Sequence, residues 1–130
     1  SKVKMVEVKN IEKSEALDLF KEKNIVYHES ESFALCAKDG NSVLGYCLYD
    51  IIAGKIIVRL IEPEKDFSLA DGLLRSALFV AANRGIMEAE YEKTVSAELI
   101  VRLGFSNNKQ NNTIDISNLF SSCENCKKDK

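Results

Sequence analysis

Long apolar runs are absent from this sequence. Nowhere do about 18 apolar residues follow one another, so none of its 130 residues forms a helical bilayer span. An excess of one charge is absent too: 18 Lys and Arg stand against 20 Asp and Glu, well interspersed, for a net charge of −2. That balance argues against a nucleic-acid partner and against an anionic membrane surface. Histidine occurs once, at His28, and the Cys-x-x-Cys of Cys123 and Cys126 has no second ligand pair. A four-ligand zinc site is therefore not legible. No apolar stretch marks residues 1–5, so no secretory leader is read there and a cytoplasmic protein is expected. Internal repeats are missing as well.

The hydrophobic fraction is 45% and the charged fraction 29%, ordinary for a globular chain. At this length one domain can bury roughly two-thirds of the surface its unfolded form exposes. Residues 1–120 read as that domain, and residues 121–130 as a polar tail. Lys127, Lys128 and Lys130, the one basic cluster, fall in the tail and read as solvated.

The best-marked stretch runs from Lys55 to Arg84. Ile56, Ile57, Val58, Leu60 and Ile61 form an aliphatic run broken only by Arg59, the pattern of a strand covered on both faces. Glu62 and Pro63 stop it. Ser68 then reads as a helix cap answered by Asp71, close to a capping box. Ala70, Leu73, Leu74, Ala77, Leu78 and Ala81 recur at helical spacing, and Gly85 sits where a left-handed terminus would end the helix.

Before this stretch, residues 2–9 read as a strand and residues 15–23 as a helix capped by Ser14. Residues 33–38 and 43–49 read as a hairpin turning at Asp39, Gly40 and Asn41, with a further turn over 50–54. After it, residues 86–91 suggest a strand, Ser96 caps a short helix ended by Gly104, and residues 113–116 have the β-propensity of a last strand. An edge strand there could pair across a homodimer. The fold class expected is α+β, a mixed and mostly antiparallel sheet with flanking helices.

Gly45-Tyr46, the Ile61-Glu62-Pro63 strand end, the helix closing at Arg84-Gly85, and Leu103-Gly104-Phe105 together resemble the GNAT superfamily of N-acetyltransferases. The resemblance covers about residues 33–116 and implies the acyl-CoA N-acyltransferase fold, acetyl-CoA as co-substrate, and a small-molecule or peptide amine as acceptor. In that family the turn between the fourth strand and the next helix holds the pyrophosphate on backbone N–H groups, in a pattern Arg/Gln-x-x-Gly-x-Gly/Ala. Here Lys65-Asp66-Phe67-Ser68-Leu69-Ala70 stands against it, with lysine for arginine and serine for the first glycine, and Ile61 just ahead. Asp66 and Asp71 bring negative charge to that turn. The resemblance also implies a base, for which Glu62 is the candidate, with Glu90 and Glu92 as alternatives. Ile100 stands where the family's acid tyrosine is expected.

Two other functions stay open at this point. One is a catalytically degenerate module that binds CoA or another ligand. The other is a metal or thiol sensor acting through Cys123 and Cys126. Cys36 and Cys47, inside apolar strands, read as core residues.

Overall fold

β-branched and aliphatic residues alternate or run together in the middle of the chain, and there a meander forms. The computed structural model describes residues 6–107 and 111–120. Its strands are β1 (Val6–Asn10), β2 (Ser32–Asp39), β3 (Ser42–Ile52), β4 (Lys55–Glu62), β5 (Glu88–Tyr91) and β6 (Thr113–Ile114). The helices are α1 (Lys13–Glu22), α2 (Phe67–Asn83) and α3 (Ala97–Arg102), with a 3-10 turn at Ile116–Phe120. All six strands form one sheet in the order β1-β2-β3-β4-β5-β6. Only β4 and β5 run parallel, joined by α2. The sheet is mixed and mostly antiparallel, as expected.

Alternation along the strands sends two sets of side chains to the two faces. One set, including Leu35, Cys47, Tyr49, Ile56, Val58 and Ile61, packs on the buried stripe of α2. Leu73, Leu74 and Leu78 of that stripe are almost wholly buried, worth about 1.5–3 kcal/mol each relative to exposure. The other set, Ala34 and Leu48, packs under Ala16, Leu19 and Phe20 of α1. Coverage on this side is thinner, and Ile57 and Leu60 of β4 are only half-buried. Cys36 and Cys47 are both buried, and burial pushes the Cys47 thiol up to about 12.

The structure differs from the sequence expectations at several element ends. Asp66, not Ser68, caps α2: its backbone is still extended, and its carboxylate accepts from the Leu69 N–H at 3.1 Å. Ser68 is already helical, and Asp71 instead holds Arg75 one turn on, at 2.9 and 3.1 Å. Ser14 likewise lies inside α1, whose cap position is Glu12 with no side-chain bond. β3 continues to Ile52, and Ala53 and Gly54 alone make the turn to β4, both at positive φ. β5 begins at Glu88 rather than at residue 86, because the left-handed Gly85 and the Ile86 N–H bond to the Ala81 carbonyl finish α2. β6 stops at Ile114, where Asp115 accepts from the Ser117 N–H and hydroxyl and turns the chain. Ser96 caps α3 as expected, accepting from the Leu99 N–H at 3.2 Å.

Candidate active site

The site begins with a defect in a strand. In the β3–β4 register Leu48 faces Leu60 and Tyr49 faces Val58, which leaves Arg59 as the extra residue of a bulge. A bulge bends its strand and increases local twist. β4 pairs with β5 only from Lys55 to Val58, and the last link is the Glu92 N–H to the Val58 carbonyl at 3.0 Å. Beyond it the two strands part, and among the described residues Leu60, Ile61 and Glu62 have no strand partner on that side.

Two side-chain links span the opening. The Thr94 hydroxyl donates to the Arg59 carbonyl, and Glu64 accepts from the Ser96 N–H at 2.9 Å. Below them Arg59 is itself buried. Its Nε donates to Glu92 at 2.7 Å, and its Nη1 donates to Asp50 at 2.6 Å and to the Val26 carbonyl at 3.2 Å. Asp50 also accepts from the Ser32 hydroxyl at 2.7 Å. One guanidinium thus ties β3, β4, the segment after α1 and the exit of β5 together.

At the mouth of the opening lies the β4–α2 turn. Gly45 makes that turn fit, because a Cβ there would press on the Glu62 carbonyl and stand 2.9 Å from Pro63 Cδ. Lys65, Asp66, Phe67 and Ser68 are exposed, Leu69 is half-buried, and Ile61 and Ala70 point into the core. Among the described residues the Phe67 and Ser68 N–H groups find no partner, whereas the Leu69 N–H is taken by Asp66. Free N–H groups and the helix dipole favour an anion there. A groove of about 370 Å³ beside them is lined by Glu64, Lys65, Phe67, Ser96, Glu98, Leu99 and Arg102.

Arg102 was not singled out by the sequence reading. It comes from the last turn of α3 and lies 4.2 Å from the centre of the Phe67 ring. No described carboxylate lies within ion-pair distance of it. Lys65 and Arg102 therefore supply two cations to a groove that also holds Glu64 and Glu98. The residues present fit a pyrophosphate: two free amides, with two cations lining the adjoining groove.

Glu62 lies on the α1 side of β4. Its carboxylate meets the Lys23 ammonium at 2.7 Å, and that ammonium lies 5.8 Å from the centre of the Tyr46 ring. The bond to Glu62 raises the Lys23 pKa against the opposing effect of partial burial. Lys23 and Tyr46 are further neighbours the sequence could not assign to this point. Glu90 pairs with Lys55 at 2.7 Å and Glu92 with Arg59, so both alternative carboxylates are engaged. Ile100 is fully buried, and the Tyr91 hydroxyl donates to the Asn111 carbonyl at 3.2 Å.

Cys123 and Cys126 lie outside the described residues. Among those described, no group of three or more His, Cys, Asp or Glu could hold a metal ion. No helix among them is long and apolar enough to cross a membrane.

A meander, a crossover helix leading to a parallel fifth strand, and a splay beside the N-terminus of that helix make up an acyl-CoA N-acyltransferase-like fold. Solved structures share it. A GNAT-family protein from Desulfovibrio desulfuricans matches with a TM-score of 0.58 at 16% identity, over 79% of this chain and 86% of its own. YhhK from E. coli, solved bound to coenzyme A, matches with a TM-score of 0.57 at 12% identity, over 88% and 98%. The IAA acetyltransferase from Bacillus cereus matches with a TM-score of 0.55 at 21% identity, over 75% and 72%. No protein-family model matches the chain, and no curated protein matches it by sequence.

Proposed function

We propose that this chain is an acetyl-CoA-dependent N-acetyltransferase acting on a small-molecule or peptide amine. The observation that carries the reading is the bulge at Arg59, which opens β4 from β5 beside two unpartnered amides at the start of α2. Acetyl-CoA would supply the acyl thioester. The Phe67 and Ser68 N–H groups, with Lys65 and Arg102, would hold its pyrophosphate. Glu62 would take a proton from the acceptor ammonium, freeing the nitrogen lone pair to attack the carbonyl carbon. With Ile100 in place of a tyrosine, the departing thiolate has no side-chain acid there and is left to solvent.

Lys23 informs the acceptor. Its ammonium on Glu62, close to the Tyr46 ring, supports reading this strand end as a place for an alkylammonium. An acceptor amine would compete with it. The test is release of CoA thiol from acetyl-CoA across a panel of primary amines. Glu62→Gln should lower kcat by roughly 10² while sparing CoA binding, and Lys23→Met should lower the KM for the amine. Wild-type turnover in Glu62→Gln would remove that carboxylate from the mechanism.

A second reading is a ligand-binding module without turnover. Glu64 bridging to the Ser96 N–H, Thr94 on the Arg59 carbonyl, and the buried Ile100 favour it. Binding of acetyl-CoA with no thiol release from any amine would select this alternative.

A further inference from the structure

β1 ends at Asn10, which pairs with Leu35, so the first residues of β2 have no strand beside them on that edge. A cavity of about 360 Å³ fills the gap. Its walls include Lys13 and Ala16 from the first turns of α1, Val80 and Arg84 from the end of α2, and the rings of Phe33 and Tyr49. The two rings stack, 5.6 Å apart at 25°. This is the opposite end of α2 from Phe67, and 17 residues of helix separate the two places by roughly 25 Å.

Among the groups not otherwise engaged at this cavity are a phenol and a cation, beside the polar side chains of Asn10 and Ser30. Tyr49 is 1% exposed as a residue; its hydroxyl meets no hydrogen-bond partner among the described residues and is not among their fully enclosed polar atoms. Burial pushes the phenol up to about 12, against the nearby positive charge of Arg84, so it keeps a proton to donate. The Arg84 guanidinium lies 5.2 Å from the centre of the Phe33 ring, with no described carboxylate within ion-pair distance. α1 begins here with no side-chain cap on its first amides. Of the carboxylates nearby, Glu29 pairs with Lys13 at 2.6 Å and Asp50 holds Ser32 and Arg59, while Glu12 and Glu31 are exposed to solvent.

We infer that this cavity is a binding site for a small aromatic carboxylate, its ring against Phe33 and Val80 and its carboxylate between the Arg84 guanidinium and the Tyr49 hydroxyl. A volume of this order suits a ligand of about ten to fifteen heavy atoms. The inference stands whether or not the chain transfers acetyl groups.

The test is titration of the full chain with benzoate, followed by amide chemical shifts, with benzamide and benzylamine as neutral and cationic counterparts of the same shape. Benzoate should shift the amides of Phe33, Val80 and Arg84 and bind at least tenfold more tightly than benzamide. Arg84→Gln should weaken benzoate at least tenfold, and Tyr49→Phe, which keeps the ring stack, should weaken it several-fold. Both variants should leave acetyl-CoA titrations unchanged. Equal binding of the three probes, shifts confined to other residues, no saturation by tens of millimolar benzoate, or full benzoate affinity in Arg84→Gln would each overturn the assignment.

Discussion

Arg59 is the residue whose removal says most about how the splay is built. Its side chain is 9% exposed and its partner Asp50 only 3%. Replacing Arg59 by Met keeps much of the apolar stem but strips Asp50 of its cation, and frees the Val26 carbonyl and Glu92 as well. Breaking one side of a buried ion pair costs about 3–5 kcal/mol, because the remaining charge stays desolvated. Against a total stability of about 5–15 kcal/mol for a domain, that is a large fraction. Asp50→Leu should cost less, because Glu92 and the Val26 carbonyl still hold the guanidinium. The double variant should cost less than the two singles together by about 0.5–3 kcal/mol, since neither charge is then stranded. Urea denaturation of the four proteins, at constant slope, reads these differences directly. An Arg59→Met protein within 1 kcal/mol of wild type, or strictly additive losses, would refute the claim that this pair locks the bulge.

The remaining expectations concern the turn and the surface pairs. Gly45→Ala should destabilise the fold by about 1–3 kcal/mol, because a Cβ must push against the Glu62 carbonyl and Pro63; a melting temperature equal to wild type would show the turn to be slack. Lys23 and Lys55 both have raised pKa values from their bonds to Glu62 and Glu90. Their contribution is complete below the unfolded value of 10.5 and is lost as pH climbs through the higher folded values. Wild type should therefore lose stability faster above that pH than the Lys23→Met, Lys55→Met double variant, and parallel alkaline curves would contradict this. Asp115 has a lowered pKa from its bonds to Ser117, so its contribution fades as pH falls below 3.8. Amide exchange at Ser117 should accelerate in Asp115→Ala at neutral pH, and unchanged exchange would count against that cap.

Local patterns made much of the fold legible. The spacing of Leu73, Leu74, Ala77 and Leu78 marked α2 and its buried face, and Gly85 marked its end. Gly45 could be noticed in the sequence, but its reason is a close crossing by the chain at Pro63. The α2 cap illustrates a different limit. Asp66 and Ser68 are both good caps by type, and the choice was decided by where the turn after β4 releases the backbone into helix.

The site was less legible, because its contacts are long-range. Arg59 looked like an interruption in an apolar run, yet its partners come from residues 26, 50 and 92. Lys23 reaches Glu62 from another element, and Arg102 reaches Phe67 across the opening. Nothing local announces such pairs. The turn residues Lys65 to Ala70 were found through the family resemblance, and the structure divides them: the first four face solvent, while Ala70 is core. A large substitution at Ala70 therefore tests packing as much as ligand binding.

The measurement that bears most directly on the account is calorimetric titration of acetyl-CoA into the wild-type chain and into Arg102→Gln. The account predicts saturable binding to the wild type and at least tenfold weaker binding to the variant, since Arg102 lines the groove beside the free amides of α2. No saturable binding to the wild type at millimolar acetyl-CoA would contradict it.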